Sequence, residues 1–86
     1  MERQEIIDGL IEVLKNVKMI EPEKLVGVTE ETDFLADMNV PSSQMISIVS
    51  KIEQKFDIEF EDDDIDDLGS TVKDVVDLIL KVKARG

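Results

Sequence analysis

The chain contains no cysteine, no histidine, no tryptophan and no tyrosine among its 86 residues. Without cysteine and histidine it has no thiol nucleophile, no disulfide, no zinc site of the usual kind and no imidazole base. We therefore do not expect an enzyme. Because its only aromatic residues are three phenylalanines, the core must be aliphatic, which suits a small helical bundle.

Long apolar runs are also missing. No stretch reaches the roughly 18 residues of a membrane span, and the start of the chain lacks the basic and then apolar layout of a signal peptide. The sequence thus predicts a soluble, cytoplasmic protein. A chain of 86 residues is too short to divide its core, so a single domain over residues 1–86 is expected.

Positive charge is scarce: ten Lys and Arg residues stand against 21 Asp and Glu residues, a formal net charge of −11. Such a charge repels nucleic acids and anionic membranes, and it favours basic surfaces on protein partners. It also predicts that salt stabilises the fold by screening the repulsion among carboxylates. We expect protein partners, no nucleic acid and no membrane.

Apolar residues spaced three and four apart predict two helices in the first two thirds of the chain. The first helix covers residues 3–18, and its apolar face consists of Ile6, Ile7, Leu10, Ile11, Val13, Leu14 and Val17. The second covers residues 42–56 or 43–56, with Met45, Ile48, Val49, Ile52 and Phe56 on one stripe. Between them lies a long loop, with a helical turn expected at residues 32–35 and with apolar anchors at Leu25, Val28, Phe34, Leu35, Met38 and Val40.

The remaining residues predict a short, acidic third helix and a long fourth helix. Ile65 and Leu68 are three apart, and Gly69 suits a helix stop. Thr71 and Asp74 have the spacing of a capping box at the start of the last helix. The expected fold class is all-α, an antiparallel four-helix bundle with three longer helices and one short third helix.

Ser42 lies where the long loop turns into the second helix, directly after Pro41. Its hydroxyl would be at the positive end of a helix, where unpaired N–H groups and the helix dipole favour an attached phosphate. A phosphorylated cofactor could be tethered there. The alternative is that Ser42 only caps its helix, a role worth about 1 kcal/mol. For Ser43 we expect a local polar or capping role.

Several segments together resemble the acyl carrier protein family from Ile6 to Val82. Residues 37–40, Asp-Met-Asn-Val, lie on the family's Asp-Leu-Gly-hydrophobic approach, residues 53–56 lie on its Glu-x-x-Phe helix ending, and residues 70–72 lie on the turn that opens its last helix. Aligning Phe56 and Asp57 with that ending places Ser42 on the family's modified serine without a gap. The resemblance implies a four-helix carrier whose serine bears 4′-phosphopantetheine, and the thiol of that cofactor holds acyl groups as thioesters.

The resemblance also implies partners: a phosphopantetheinyl transferase, and acyl-transferring or condensing enzymes of fatty acid, polyketide or specialised pathways, served by a monomeric carrier. The chain departs from the family at Pro41, where Asp is usual, and at Ser43, where an apolar residue is usual. The second helix carries lysines where the family is acidic, and the acidic residues are shifted to residues 57–67. Candidate docking residues are Gln44, Met45, Lys51, Lys55, Asp62 and Asp63.

Two other functions compete with the carrier. One is an unmodified adaptor of the same fold that binds a basic protein through its acidic third helix. The other is a calcium sensor built on residues 62–67, but a calcium loop starting at Asp62 would have Asp67 in place of the required Gly and Lys73 in place of the closing Glu. We therefore expect no metal site and a solvated acidic face.

Overall fold

The three longer helices together enclose an aliphatic core, as the apolar spacing predicts. The computed structural model describes residues 2–18 and 20–85. Its α-helices are α1, Arg3–Lys15; α2, Met45–Phe56; α3, Asp62–Asp66; and α4, Val72–Arg85. Helix α1 packs against both α2 and α4. This arrangement confirms the all-α bundle with three longer helices and a short third one. Within the described residues, no helix combines the length and hydropathy that a bilayer crossing requires.

Helix α1 ends at Lys15, earlier than the expected Lys18. Its last turn tightens: the N–H groups of Asn16 and Val17 donate to carbonyls three residues back, at 3.1 Å each. The Asn16 side chain also donates to the carbonyl oxygen of Glu12 at 3.0 Å. Asparagine competes for backbone groups in this way, which favours helix ends. Val17 is nevertheless buried, as its place on the apolar face predicts.

The long loop between α1 and α2 is more structured than its sequence indicates. Pro22–Leu25 form a 3₁₀ turn with proline in the first position, where its missing N–H costs nothing. The helical turn expected at residues 32–35 lies slightly later, at residues 33–37, where the Asp37 N–H donates to the Asp33 carbonyl at 2.9 Å. The prediction that Leu35 is one of the apolar anchors was wrong, since this residue is 39% exposed. The buried anchors are Leu25, Phe34, Met38 and Val40.

Residues 30–34 of this loop are hydrogen-bonded to the start of α4. The Phe34 N–H donates to the Ser70 carbonyl at 2.8 Å, and the Val72 N–H donates to the Thr32 carbonyl at 2.9 Å. The Lys73 N–H donates to the Glu30 carbonyl at 2.9 Å. These bonds satisfy N–H groups in the first turn of α4 that have no partner within the helix. Backbone hydrogen bonds therefore hold the loop against the start of the last helix.

The start of α4 also has the predicted capping box. The Asp74 N–H donates to the Thr71 hydroxyl at 3.2 Å, and the Thr71 N–H donates to the Asp74 carboxylate at 3.3 Å. Gly69 does not stop α3, which ends at Asp66. A β-carbon at Gly69 would collide with the Asp74 carboxylate, so this glycine makes room for the cap.

Asp64 contradicts the expectation that the acidic segment is wholly a solvated face. It is 4% exposed and receives hydrogen bonds from Arg85 of α4, at 2.6 Å, and from the Glu61 N–H, at 2.9 Å. Arg85 first, and then the Glu61 N–H, hold the pKa of Asp64 at about 2, below its ordinary 3.8. The acidic helix α3 is thus anchored to α4 through one of its own carboxylates.

Candidate functional site

The segment that leads to Ser42 alternates between buried and exposed residues. Met38 and Val40 are each 2% exposed, and Asn39 between them has φ 57°, in the left-handed region. Asparagine tolerates this conformation better than other residues with a β-carbon. Asn39 therefore takes the backbone position for which glycine is the usual choice. The two buried side chains hold the segment to the core, so the next residues are presented at the surface.

Pro41 sets the start of the helix that follows. It is extended, with φ −62° and ψ 142°, and Ser42–Gln44 then form a 3₁₀ turn that continues into α2. The Gln44 N–H donates to the Pro41 carbonyl at 2.9 Å, and the Met45 N–H donates to the Ser42 carbonyl. Because the N–H groups of Ser42 and Ser43 precede these bonds, the helix does not use them. These two N–H groups lie at the positive end of the helix dipole.

The hydroxyl of Ser42 does not cap this helix. The cap positions are Pro41 for the 3₁₀ turn and Gln44 for α2, and neither makes a side-chain cap hydrogen bond. Both Ser42 and Ser43 are exposed. Across residues 2–18 and 20–85, neither hydroxyl takes part in a side-chain hydrogen bond. The capping alternative for Ser42 therefore has no support in the geometry.

A shallow groove of about 230 Å³ begins at Ser42 and runs between α2 and α3. Ser43 does not line it. Ser42 shares a helical face with the α2 residues of the groove, which lie three, four and seven positions later. None of the described residues around the groove is charged; they are Leu35, Ser42, Met45, Ile46, Val49, Ile65, Leu68, Gly69 and Ser70. This geometry distinguishes the two neighbouring serines.

Asp33 ties the loop to the far end of this groove. Its carboxylate accepts hydrogen bonds from the N–H groups of Leu35 and Ala36, at 2.8 and 2.9 Å, and from the Ser70 hydroxyl at 2.8 Å. The Ala36 N–H first, and then the Ser70 hydroxyl, lower the pKa of Asp33. Leu35 and Ser70 both line the groove, so Asp33 fixes two of its borders.

The lysines expected on a docking surface face α1 instead of the groove. Gln44 and Lys51 line a cavity of about 510 Å³ between α2 and the end of α1. Lys55 forms an ion pair with Glu12 of α1 at 2.6 Å. Lys55 is thus engaged within the molecule, and Lys51 remains on the flank of α2.

The other candidate docking residues lie elsewhere. Met45 is half-buried and borders the groove, while Asp62 and Asp63 are exposed in the first turn of α3. The structure therefore distributes the six candidates over three parts of the surface. In the described residues, no three carboxylates come together in a way that could hold a metal ion.

Sequence reasoning missed the structural roles of Asp33, Ser70 and Asp64. The roles of Asp33 and Ser70 depend on a contact between distant parts of the chain, for which the sequence has no local signal. Asp64 did have one: Glu61 and Asp64 have capping-box spacing, and the structure has that box at the start of α3.

The residues around Ser42 fit a phosphate-linked arm. An exposed hydroxyl and unused N–H groups at a helix start suit the phosphate of such an arm. The adjacent uncharged groove suits its less polar remainder. The family model for the phosphopantetheine attachment site matches residues 6–79.

Curated relatives match nearly the whole chain. An acyl carrier protein of Coprothermobacter proteolyticus is 37% identical over 92% of this chain and 92% of its own length. One of Thermobifida fusca is 35% identical over 91% of this chain and 94% of its own length. A meromycolate extension acyl carrier protein of Mycolicibacterium aurum is 38% identical over 94% and 79%, respectively. The chain belongs to the acyl carrier protein family, whose members carry acyl groups on 4′-phosphopantetheine.

Proposed function

We propose that Ser42 is the residue that bears 4′-phosphopantetheine in this chain. The single observation behind this choice is that Ser42, unlike Ser43, combines an exposed and unbonded hydroxyl with a place on the uncharged groove. The cofactor supplies the thiol that this chain lacks, and that thiol holds acyl groups as thioesters. The protein is then a shuttle, which presents its cargo to enzymes and does not transform it.

The chain's own residues have three tasks in this function. The N–H groups of Ser42 and Ser43 stabilise negative charge at the phosphodiester, since they lie at the positive end of the helix. Met38 and Val40 hold the serine segment against the core. The groove between α2 and α3 offers apolar surface beside the arm, on which an acyl chain can be partly shielded from water.

The partners follow from the arm. A phosphopantetheinyl transferase attaches it, and acyl-transferring or condensing enzymes load and unload it. Fatty acid, polyketide and specialised acyl transfer are the candidate settings. The M. aurum relative is named for meromycolate extension, which is one such setting for that protein. We propose a single domain that acts as a monomer in the cytoplasm.

Intact mass spectrometry after incubation with coenzyme A and a broad-specificity transferase tests this assignment. We expect the wild type to gain one phosphopantetheine, Ser43→Ala to gain the same mass, and Ser42→Ala to gain nothing. Loss of the gain in Ser43→Ala alone would move the site by one residue. No gain in the wild type with several transferases would favour the unmodified adaptor.

A further inference from the structure

The polar cavity of about 510 Å³ between α2 and the end of α1 is not part of the site at Ser42. We name it the α1–α2 cavity. It shares no residue with the groove that begins at Ser42, so it belongs to a different part of the surface. Its lining contains two lysines and several neutral polar residues, namely Lys18, Lys51, Gln44, Ser47, Ser50 and Gln54.

The charge of the α1–α2 cavity is opposite to that of the whole protein. Its lining has two lysines and no carboxylate, although the chain has 21 acidic residues and a net charge of −11. Cavities elsewhere on the described chain that are lined by Lys24, Lys55 or Lys83 each contain at least one carboxylate. In the adjoining cavity that carboxylate is Glu12, which is paired with Lys55 at 2.6 Å. The α1–α2 cavity is therefore a local positive region on an acidic protein.

The fold does not use the donors of this cavity. Within residues 2–18 and 20–85, neither Lys18 nor Lys51 forms an ion pair. The neutral glutamine and serine side chains of the lining form no side-chain hydrogen bond in that part of the chain either. An ammonium group only donates hydrogen bonds, and amide and hydroxyl groups can donate as well. The cavity thus collects several donors and leaves them without an acceptor.

Two separate elements bring these donors together. Along α2 and the turn before it, the polar residues of the cavity recur three or four positions apart from Gln44 to Gln54, so they lie on one face. Lys18 comes from the turn after α1, where the Ile20 N–H donates to the Val17 carbonyl at 3.1 Å. Val17 and Ile20 are both buried, which fixes the backbone on either side of this lysine. A ligand held by both lysines would join the end of α1 to α2.

We propose that the α1–α2 cavity is a binding site for a small phosphate anion, with Lys18 and Lys51 as its charged contacts. A phosphate group carries several strong acceptor oxygens, which match a set of donors that approach from two sides. Lysine binds phosphate as a point charge. The lining has no aromatic side chain on which a nucleobase could stack, so the site recognises phosphate groups and not a whole nucleotide.

A nuclear magnetic resonance titration of the full chain with inorganic pyrophosphate tests the proposal. Sodium chloride keeps the ionic strength constant and divalent cations are left out, so that screening of the net charge does not change. We expect saturable shifts of the amide signals of residues 16–18 and 44–54. Shifts that do not saturate, or that spread evenly over the chain, would show an adventitious ion only and overturn the proposal.

Lys18→Gln and Lys51→Gln identify the contacts. Each variant removes one charge-assisted contact, so we expect the dissociation constant of pyrophosphate to rise about fivefold or more. The matched control is Lys73→Gln on α4, because this exposed lysine lies outside the cavity and its loss changes the net charge equally. It should leave the dissociation constant nearly unchanged. Equal weakening in all three variants would mean that net charge and not the cavity determines binding, which overturns the proposal. Thermal melts in sodium chloride verify that the variants are folded.

Other probes distinguish the possible occupants. Coenzyme A, which contains a diphosphate and a third phosphate, should bind at least as tightly as pyrophosphate. Binding of coenzyme A without binding of pyrophosphate would overturn the recognition of phosphate alone. A peptide of consecutive aspartates that binds more tightly than pyrophosphate would overturn the proposal too, because the cavity would then be a contact for an acidic protein.

The proposal does not rest on the function of Ser42, and one variant keeps the two apart. Ser42→Ala should bind pyrophosphate as tightly as the wild type, since Ser42 does not line the cavity. Loss of pyrophosphate binding in this variant would contradict a separate site. A wild type that is never loaded refutes the function of Ser42 alone, and a loaded wild type that does not bind pyrophosphate refutes only the anion site.

Discussion

Gly9 lies on the buried face of α1, and the aromatic ring of Phe56 rests against it. A β-carbon at this position would be 2.7 Å from Cζ of Phe56, closer than atoms pack without a shift. From the sequence, Gly9 is either a tolerated loss of helix propensity or a place where another element comes close. The structure shows the close approach, which allows α1 and α2 to pack with a phenylalanine between them.

Gly9→Ala should therefore destabilise the protein, although alanine is the better helix former. The substitution gains about 1 kcal/mol in helix propensity, whereas overpacking a core costs about 1–3 kcal/mol. We expect the free energy of unfolding in urea to fall by up to about 2 kcal/mol. In a Phe56→Leu background the same change should cost less, which a double-mutant cycle measures. A more stable Gly9→Ala protein would contradict this packing.

Asn39 is the second residue whose backbone conformation restricts which amino acid fits there. Its φ is 57°, just before the segment that carries Ser42. We expect Asn39→Gly to keep or raise the melting temperature, because glycine adopts positive φ freely. Asn39→Val should lower the free energy of unfolding by about 1–3 kcal/mol, since a β-branched residue is strained there. Equal stability of the two variants in urea denaturation would show that this conformation is not required.

At the scale of helices, periodicity was sufficient for α1, α2 and α4. Each has an apolar stripe at helical spacing, and the stripe residues predicted for α2 are buried except for the half-buried Met45. The end of α1 and the turn at Pro22–Leu25 could not be predicted, because local hydrogen bonds and not the apolar pattern determine them. The burial of Asp64 was missed because it depends on Arg85, which reaches it from another helix, although the capping-box spacing of Glu61 and Asp64 is a local signal for the cap itself.

The Asp64 anchor of α3 gives a prediction about acid stability. Its folded-state pKa, at about 2, lies below the ordinary 3.8, so between these values the unfolded chain binds more protons than the folded chain. The stabilisation is thus present above the ordinary pKa and is lost as the pH falls towards 2. We expect the wild type to lose melting temperature over this window more steeply than Asp64→Asn, which has no such proton to bind.

Asp63→Asn is the matched control, because Asp63 is the exposed neighbour of Asp64 in the same helix. The loss of melting temperature between pH 3.8 and about 2 should be as steep in this variant as in the wild type, whatever its absolute melting temperature. Parallel curves for the wild type and Asp64→Asn would mean that Asp64 does not anchor α3 at neutral pH.

For the whole molecule, the net charge of −11 predicts a dependence on salt. At 0.1 M salt the Debye length is roughly 10 Å, so repulsion between exposed carboxylates that lie farther apart than this is largely screened, and the melting temperature should rise with added sodium chloride. Asp62→Asn with Asp63→Asn should raise it at low salt and have a smaller effect at high salt. A melting temperature that falls as salt increases would contradict self-repulsion as the dominant effect.

The candidate site shows the same division between what the sequence reveals and what it does not. Ser42 could be proposed from its own neighbours, because Pro41, the helix start and the family motifs are all local in the chain. The groove and its border at Ser70 could not, since they require α3 and the start of α4 to meet the loop. Which surface lies next to Ser42 depends on the assembled bundle.

The hydrogen bonds between residues 30–34 and the start of α4 have a consequence for protein synthesis. The loop that leads to Ser42 leaves the ribosome well before the residues that hold it. Until residues 70–73 have emerged, Phe34 and Thr32 lack their backbone partners, and Asp33 lacks the Ser70 hydroxyl. A nascent chain therefore does not present Ser42, the serine that we propose as the attachment site, in the finished geometry.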